Sequence, residues 1–158
     1  MKKITILPFL LLLITIFISS CTEDKYADWK IINDKWLDKH RVETGFNETE
    51  TGLCYKVIHQ GEMGKPTMSA YNGYGSYIKA KYTGKLVDGT VFDSGIFQGY
   101  LGNAIAGWRE ALLKMNVGGH YIIYVPSSLG YGDTASGSIP PYSVLQFDIE
   151  LLDSRNQL

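Results

Sequence analysis

Two cysteines, Cys21 and Cys54, are the only thiols in this 158-residue chain, so a framework of several disulfides is excluded. Histidine is almost as scarce. His40, His59 and His120 are scattered with no ligand spacing and no His-rich tail, which argues against a metal site. Charge is nearly balanced, with 15 Lys and Arg against 16 Asp and Glu and a formal net charge of −1. No strong field therefore draws the chain to nucleic acid or to anionic lipid. Phosphate loops are missing as well. Asp88-Gly89 and Gly118-Gly119 read as turns, because no Lys-Ser/Thr follows a Gly-rich step from strand to helix. Ser127-Ser128 lies outside any nucleophile-elbow pattern, and there is no internal repeat. Nothing here implies a cofactor.

The one long apolar run stands at the start. Lys2 and Lys3 precede Ile4 to Ile18, a stretch broken only by Thr5, Pro8 and Thr15, so residues 1–20 read as a targeting signal outside the fold. The run is short for a spanning helix, which needs roughly 20 apolar residues. Ile18-Ser19-Ser20-Cys21 resembles a bacterial lipobox, in which Cys21 is lipidated and becomes the mature N-terminus. An ordinary secretory signal, or a membrane anchor with an incidental cysteine, are the other readings of these residues. Lipidation of Cys21 would tie the chain to a lipid bilayer and leave Cys54 unable to form an intrachain disulfide. The compartment expected is the bacterial cell envelope. Thr22 rather than Asp after the cysteine favours the outer membrane over the inner one. Glu23-Asp24 resembles signals that send some lipoproteins to the cell surface, and reads equally as a solvated tether.

Residues 21–50 form a charged tether with one amphipathic segment, in which Trp29, Ile32, Trp36 and Leu37 recur at helical spacing between Asp28 and His40. It reads as a short helix that packs on the domain or spaces it from the membrane; dimerisation or client docking is the sharper alternative. Residues 51–155 are one domain in length, enough for a real core. Leu53, Tyr55 and Val57 alternate as in a half-buried strand, and residues 61–76 are a Gly-rich loop. Gly95 to Gly102 reads as a Gly-punctuated connection. Ile105 to Met115 predicts the single helix of the domain body, with Trp108, Leu112 and Met115 on its buried face. Tyr121 to Val125 is a strand stopped by Pro126, and Val144 to Leu152 a last strand alternating Leu145, Phe147, Ile149 and Leu151. These elements predict an α+β fold, a twisted antiparallel sheet wrapped around one short α-helix.

The most informative stretch is Ala80 to Ser94, AKYTGKLVDGTVFDS. Ala80, Tyr82 and Gly84 alternate with Lys81, Thr83 and Lys85, the period of a strand with one wet face. Asp88-Gly89 turns the chain back, and the return strand ends in Phe92-Asp93. Tyr82 and Phe92 can thus project into one aromatic pocket holding a single acid. Such a pocket suits binding of an apolar group better than bond-breaking chemistry.

YTGKLVDGTVFDS, IAGWREALLKM, VPSSLGYG and IPPYSVLQFDIELL occur here in the order and approximate spacing of the FKBP-type peptidyl-prolyl cis-trans isomerases, which the chain resembles over about residues 50–153. The resemblance implies a proline ring bound between helix and sheet, in Pro-containing segments of client proteins. It implies pocket roles for Tyr82, Phe92 and Asp93, with Trp108 as the floor and the Ile105 N–H holding a substrate carbonyl. It implies that the Tyr131 hydroxyl bonds the substrate backbone and that Ile139 and Phe147 are walls. Ala104 stands where a larger aliphatic is usual, and Phe97 or Tyr100 takes the place of a wall aromatic from a shortened bulge. Two functions follow: a prolyl isomerase acting on envelope or exported proteins, and a weakly active binding module of the same fold that holds unfolded or Pro-containing segments.

Overall fold

The structure is a computed structural model, and it describes residues 25–68 and 73–155. Residues 1–20, expected above to be a targeting signal, and Cys21 lie outside the described residues. Among them, no helix is long and apolar enough to cross a membrane. Six strands form one sheet: β1 (Phe46–Glu48), β2 (Cys54–His59), β3 (Tyr77–Lys85), β4 (Val91–Tyr100), β5 (His120–Val125) and β6 (Leu145–Arg155). Their order is β1-β2-β5-β6-β3-β4, and every pairing is antiparallel. Helix α1 (Ala27–His40) precedes the sheet, and α2 (Ala106–Leu112) joins β4 to β5.

Strand alternation decides which residues meet α2. Tyr121, Ile123 and Val125 of β5 and Leu145, Phe147, Ile149 and Leu151 of β6 are buried on one face, where they join Trp108, Leu112 and Met115 in the main core. Helix α2 lies close against β5 because Gly107 has no side chain. A Cβ there would stand 2.5 Å from Cγ1 of Val125. The alternate residues Ile122 and Tyr124 point to the other face, and α1 covers that face with Leu37 and Trp36 beside Cys54, Val144 and Phe46. The rings of Trp36 and Phe46 meet Tyr124 at centroid distances of 4.8 and 4.4 Å.

Two expectations are corrected. Ile32 is 52% exposed, and Asn33 occupies the buried face of α1 in its place, because its amide finds partners there (below). Gly95 to Gly102 is not a loop: β4 runs through Tyr100, paired residue by residue with β3 from Tyr77↔Tyr100 to Thr83↔Ser94. Pairing with a formed strand overrides the poor strand preference of Gly95 and Gly99, a context dependence typical of sheets. Asp88-Gly89 does make the turn, with Gly89 at φ 87° and the Thr90 N–H bonded to Asp88 Oδ1 at 2.9 Å.

Candidate functional site

A bulge in β4 builds the pocket. Lys85 pairs with Val91 but Gly84 pairs with Asp93, so Phe92 is the extra residue and both Phe92 and Asp93 lie beside Gly84. The register then returns to alternation, placing Asp93, Gly95 and Phe97 across from Gly84, Tyr82 and Ala80. Gly84 is required here, since a Cβ would stand 2.5 Å from Phe92 Cζ and 2.9 Å from Phe147 Cε1.

Against this strand face α2 sets the indole of Trp108, 5% exposed. Tyr82, Phe97 and Phe147 stand nearly upright to it, at centroid distances of 5.0, 5.7 and 5.3 Å and interplanar angles of 84°, 72° and 82°. These edge-to-face contacts place positive ring edges against the negative faces of neighbours. Phe92 completes the box, 5.6 Å from Phe147 at 88°. The Trp108 N–H is buried without a hydrogen-bond partner among the described residues, so the ring is fixed by packing. Arg109 reaches back from α2 to the carbonyls of Gly102 and Ala104 at 3.2 and 3.3 Å, tying the entry of the helix to the pocket rim.

The resulting cavity, about 190 Å³, is lined by Tyr82, Phe92, Asp93, Phe97, Asn103, Ala104, Ile105, Trp108, Tyr131 and Phe147. That is below the roughly 300–1,000 Å³ of drug-sized sites and suits a single small ring. Ile139 lies outside it. With Ser136, Gly137 and Ser138 it lines an adjoining cavity of about 260 Å³ that shares Phe92, Asp93 and Tyr131. Of the two candidate wall aromatics, Phe97 is in place and Tyr100 is not. Tyr100 is three residues further along β4, hence on the opposite face, and packs on Tyr77 at 5.4 Å. Asn103 is a lining residue that sequence reasoning missed; no local signal distinguishes it from any polar loop residue.

One polar pair crosses the box. Tyr82 donates its hydroxyl hydrogen to Asp93 Oδ2 at 2.6 Å. Burial first, then the hydrogen bond and charge of Asp93, pushes the Tyr82 phenol up to about 12 from an ordinary 10.0. The folded protein holds this proton more tightly than the unfolded chain. Its contribution to stability is therefore complete below about pH 10 and fades as pH rises towards 12. In a tyrosinate absorbance titration, the signal lost in Tyr82→Phe is expected to be the one rising near pH 12. Asp93→Asn should move it down only part of the way, since burial is the larger cause; an unmoved signal would show that the carboxylate has no influence.

The three histidines take separate partners. The His40 ring stacks on Trp36, His59 Nδ1 accepts the Gly61 N–H, and His120 pairs with Asp148 at 2.8 Å.

Residues 71–152 match the family model of the FKBP-type peptidyl-prolyl cis-trans isomerases. The chain is 41% identical over 125 residues to the FKBP-type 22 kDa peptidyl-prolyl cis-trans isomerase of Escherichia coli K12, covering 75% of this chain and 58% of that one. It spans about half the length of the curated relatives it matches. The crystal structure of FkpA from Escherichia coli superposes with a TM-score of 0.75 at 32% identity, covering 82% of this chain and 61% of FkpA. A peptidyl-prolyl cis-trans isomerase from Pseudomonas syringae pv. tomato gives 0.75 at 25% identity, covering 85% and 99%.

Proposed function

This chain belongs to the FKBP-type peptidyl-prolyl cis-trans isomerase family, and we propose that it catalyses rotation about X–Pro bonds in proteins of the bacterial envelope. The observation that carries the reading is the box of four rings around the Trp108 indole, open on one side and edged by a single carboxylate.

Amide resonance sets the barrier to rotation at roughly 18–20 kcal/mol. Lowering it needs no nucleophile. At the top of the barrier the C–N bond has lost conjugation and polarity, so a dry aromatic cavity favours that state over the planar ground state. In this mechanism the proline ring rests on Trp108 between Tyr82, Phe97 and Phe147, with Phe92 and Ala104 at its edges. The Ile105 N–H and the Tyr131 hydroxyl hold the flanking backbone, so that rotation is confined to one bond. Asp93 fixes the Tyr82 hydroxyl; it takes no proton. The neighbouring cavity, with Ile139 as its apolar end, receives a residue next to the proline.

Lipidation at Cys21 would hold this activity at a membrane surface, with the outer membrane favoured by Thr22. The chain from Thr22 onward is expected to accelerate cis-trans exchange of a proline-containing tetrapeptide, followed by protease-coupled cleavage. Peptide binding without acceleration would sink the catalytic reading and leave a binding module. Fatty-acid labelling of whole cells, lost in Cys21→Ser, checks the anchor.

A further inference from the structure

Tyr131 and Ile139 belong to the stretch between Pro126 and Val144, which contributes no strand to the sheet. Turns hold it together: Gly132 N bonds Ser127 O at 2.8 Å, Ser136 and Ile139 exchange bonds of 3.0 and 2.9 Å, and Tyr142 N bonds Gly132 O at 2.8 Å. Tyr142 has φ 62°, a left-handed backbone that costs a non-glycine residue about 1–2 kcal/mol. Such a bend persists only where its surroundings impose it.

Side chains of α1, more than a hundred positions away in the chain, hold the two residues that follow this bend. Trp29 Nε1 donates to Ser143 Oγ at 2.9 Å, and Ser143 Oγ donates to Pro140 O at 2.7 Å. Asn33 Oδ1 accepts the Val144 N–H at 2.8 Å, while Asn33 Nδ2 donates to Trp29 O at 2.8 Å. Asn33 is 0% and Ser143 3% exposed, so neither can exchange these bonds for water without opening the packing. Leu37 packs with Val144 one turn further along the helix. The bonds bracket Tyr142 on both sides and end one residue from Ile139.

We propose that α1 is a positioning element for the pocket, with Trp29, Asn33 and Ser143 as positioning residues that set where Tyr131 and Ile139 meet a substrate. This rests on the isomerase reading. Trp29→Phe and Ser143→Ala remove the same link from its two ends, each leaving the packing largely in place. In the full chain both are expected to lower kcat/KM for a proline peptide about five- to tenfold. The loss should fall mainly on KM, because the loop holds substrate and transition state alike. The double variant should be no worse than Ser143→Ala, which already loses the Trp29 bond along with its own bond to Pro140. Ser143→Thr, which keeps the hydroxyl, should restore the parental rate. If melting midpoints fall while kcat/KM stays parental in both single variants, α1 is a structural prop and the proposal is overturned. An unmodified chain that does not isomerise overturns the isomerase reading itself, and this inference with it.

Discussion

Phe92→Ala is expected to lower kcat/KM for X–Pro isomerisation about a hundredfold, the scale on which small losses of placement act in enzymes. Phe92 borders both cavities and is the residue that the β4 bulge adds to the pocket side. Without its ring the two spaces merge and water reaches the amide. Water favours the planar, polar ground state, so the advantage of a dry cavity is lost where it matters. Asp93→Leu should cost about tenfold or more by a different route. It removes the acceptor that fixes the Tyr82 hydroxyl, so one ring of the pocket loses its anchor. Both rates are to be read beside thermal melting, at a temperature where the variants are folded. Rates within twofold of the parent in both variants would rule out this pocket as the site.

The second large effect is expected at a residue with no side chain. In Gly84→Ala the added methyl would sit 2.5 and 2.7 Å from Cζ and Cε2 of Phe92 and 2.9 Å from Cε1 of Phe147. No carbon tolerates such distances, so one ring or the strand must move. Phe147 is 5% exposed and pinned against Trp108, so Phe92 is the ring that yields. Overpacking of this kind costs about 1–3 kcal/mol. Because the displaced ring is a pocket wall, activity should fall at least about tenfold, out of proportion to the loss of stability. Parental melting together with a parental rate in the Gly84→Ala variant would mean that the close approach of strand and rings has no role in shaping the cavity.

Much of the frame was legible in consecutive residues. The alternation of Leu145, Phe147, Ile149 and Leu151 set their burial, and all four are buried. Trp108, Leu112 and Met115 at helical spacing share the core face of α2 and its C-terminal turn. Asp88-Gly89 marked the hairpin, since a turn is encoded within its own few residues. The resemblance brought Tyr82, Phe92, Asp93, Ala104, Ile105, Trp108, Tyr131 and Phe147 onto one short roll, and the structure places all eight around one cavity.

What stayed hidden depends on partners distant in the chain. Gly95 to Gly102 has the composition of a loop, yet β3 makes most of it a strand. That strand's phase decides between Phe97 and Tyr100, and a single bulge at Phe92 sets the phase. Asn33 looks like a polar interruption in an apolar helix face until the Val144 N–H meets it. By itself the sequence determined the family, through the resemblance of its ordered motifs, and the alternating faces, the hairpin and the aromatic supply, through local periodicity and turn chemistry. Only the tertiary structure decided the register of β4, the wall aromatic and the grip of α1 on the loop. Each of those is a pairing across the sheet, and a pairing is a property of two segments that neither one carries alone.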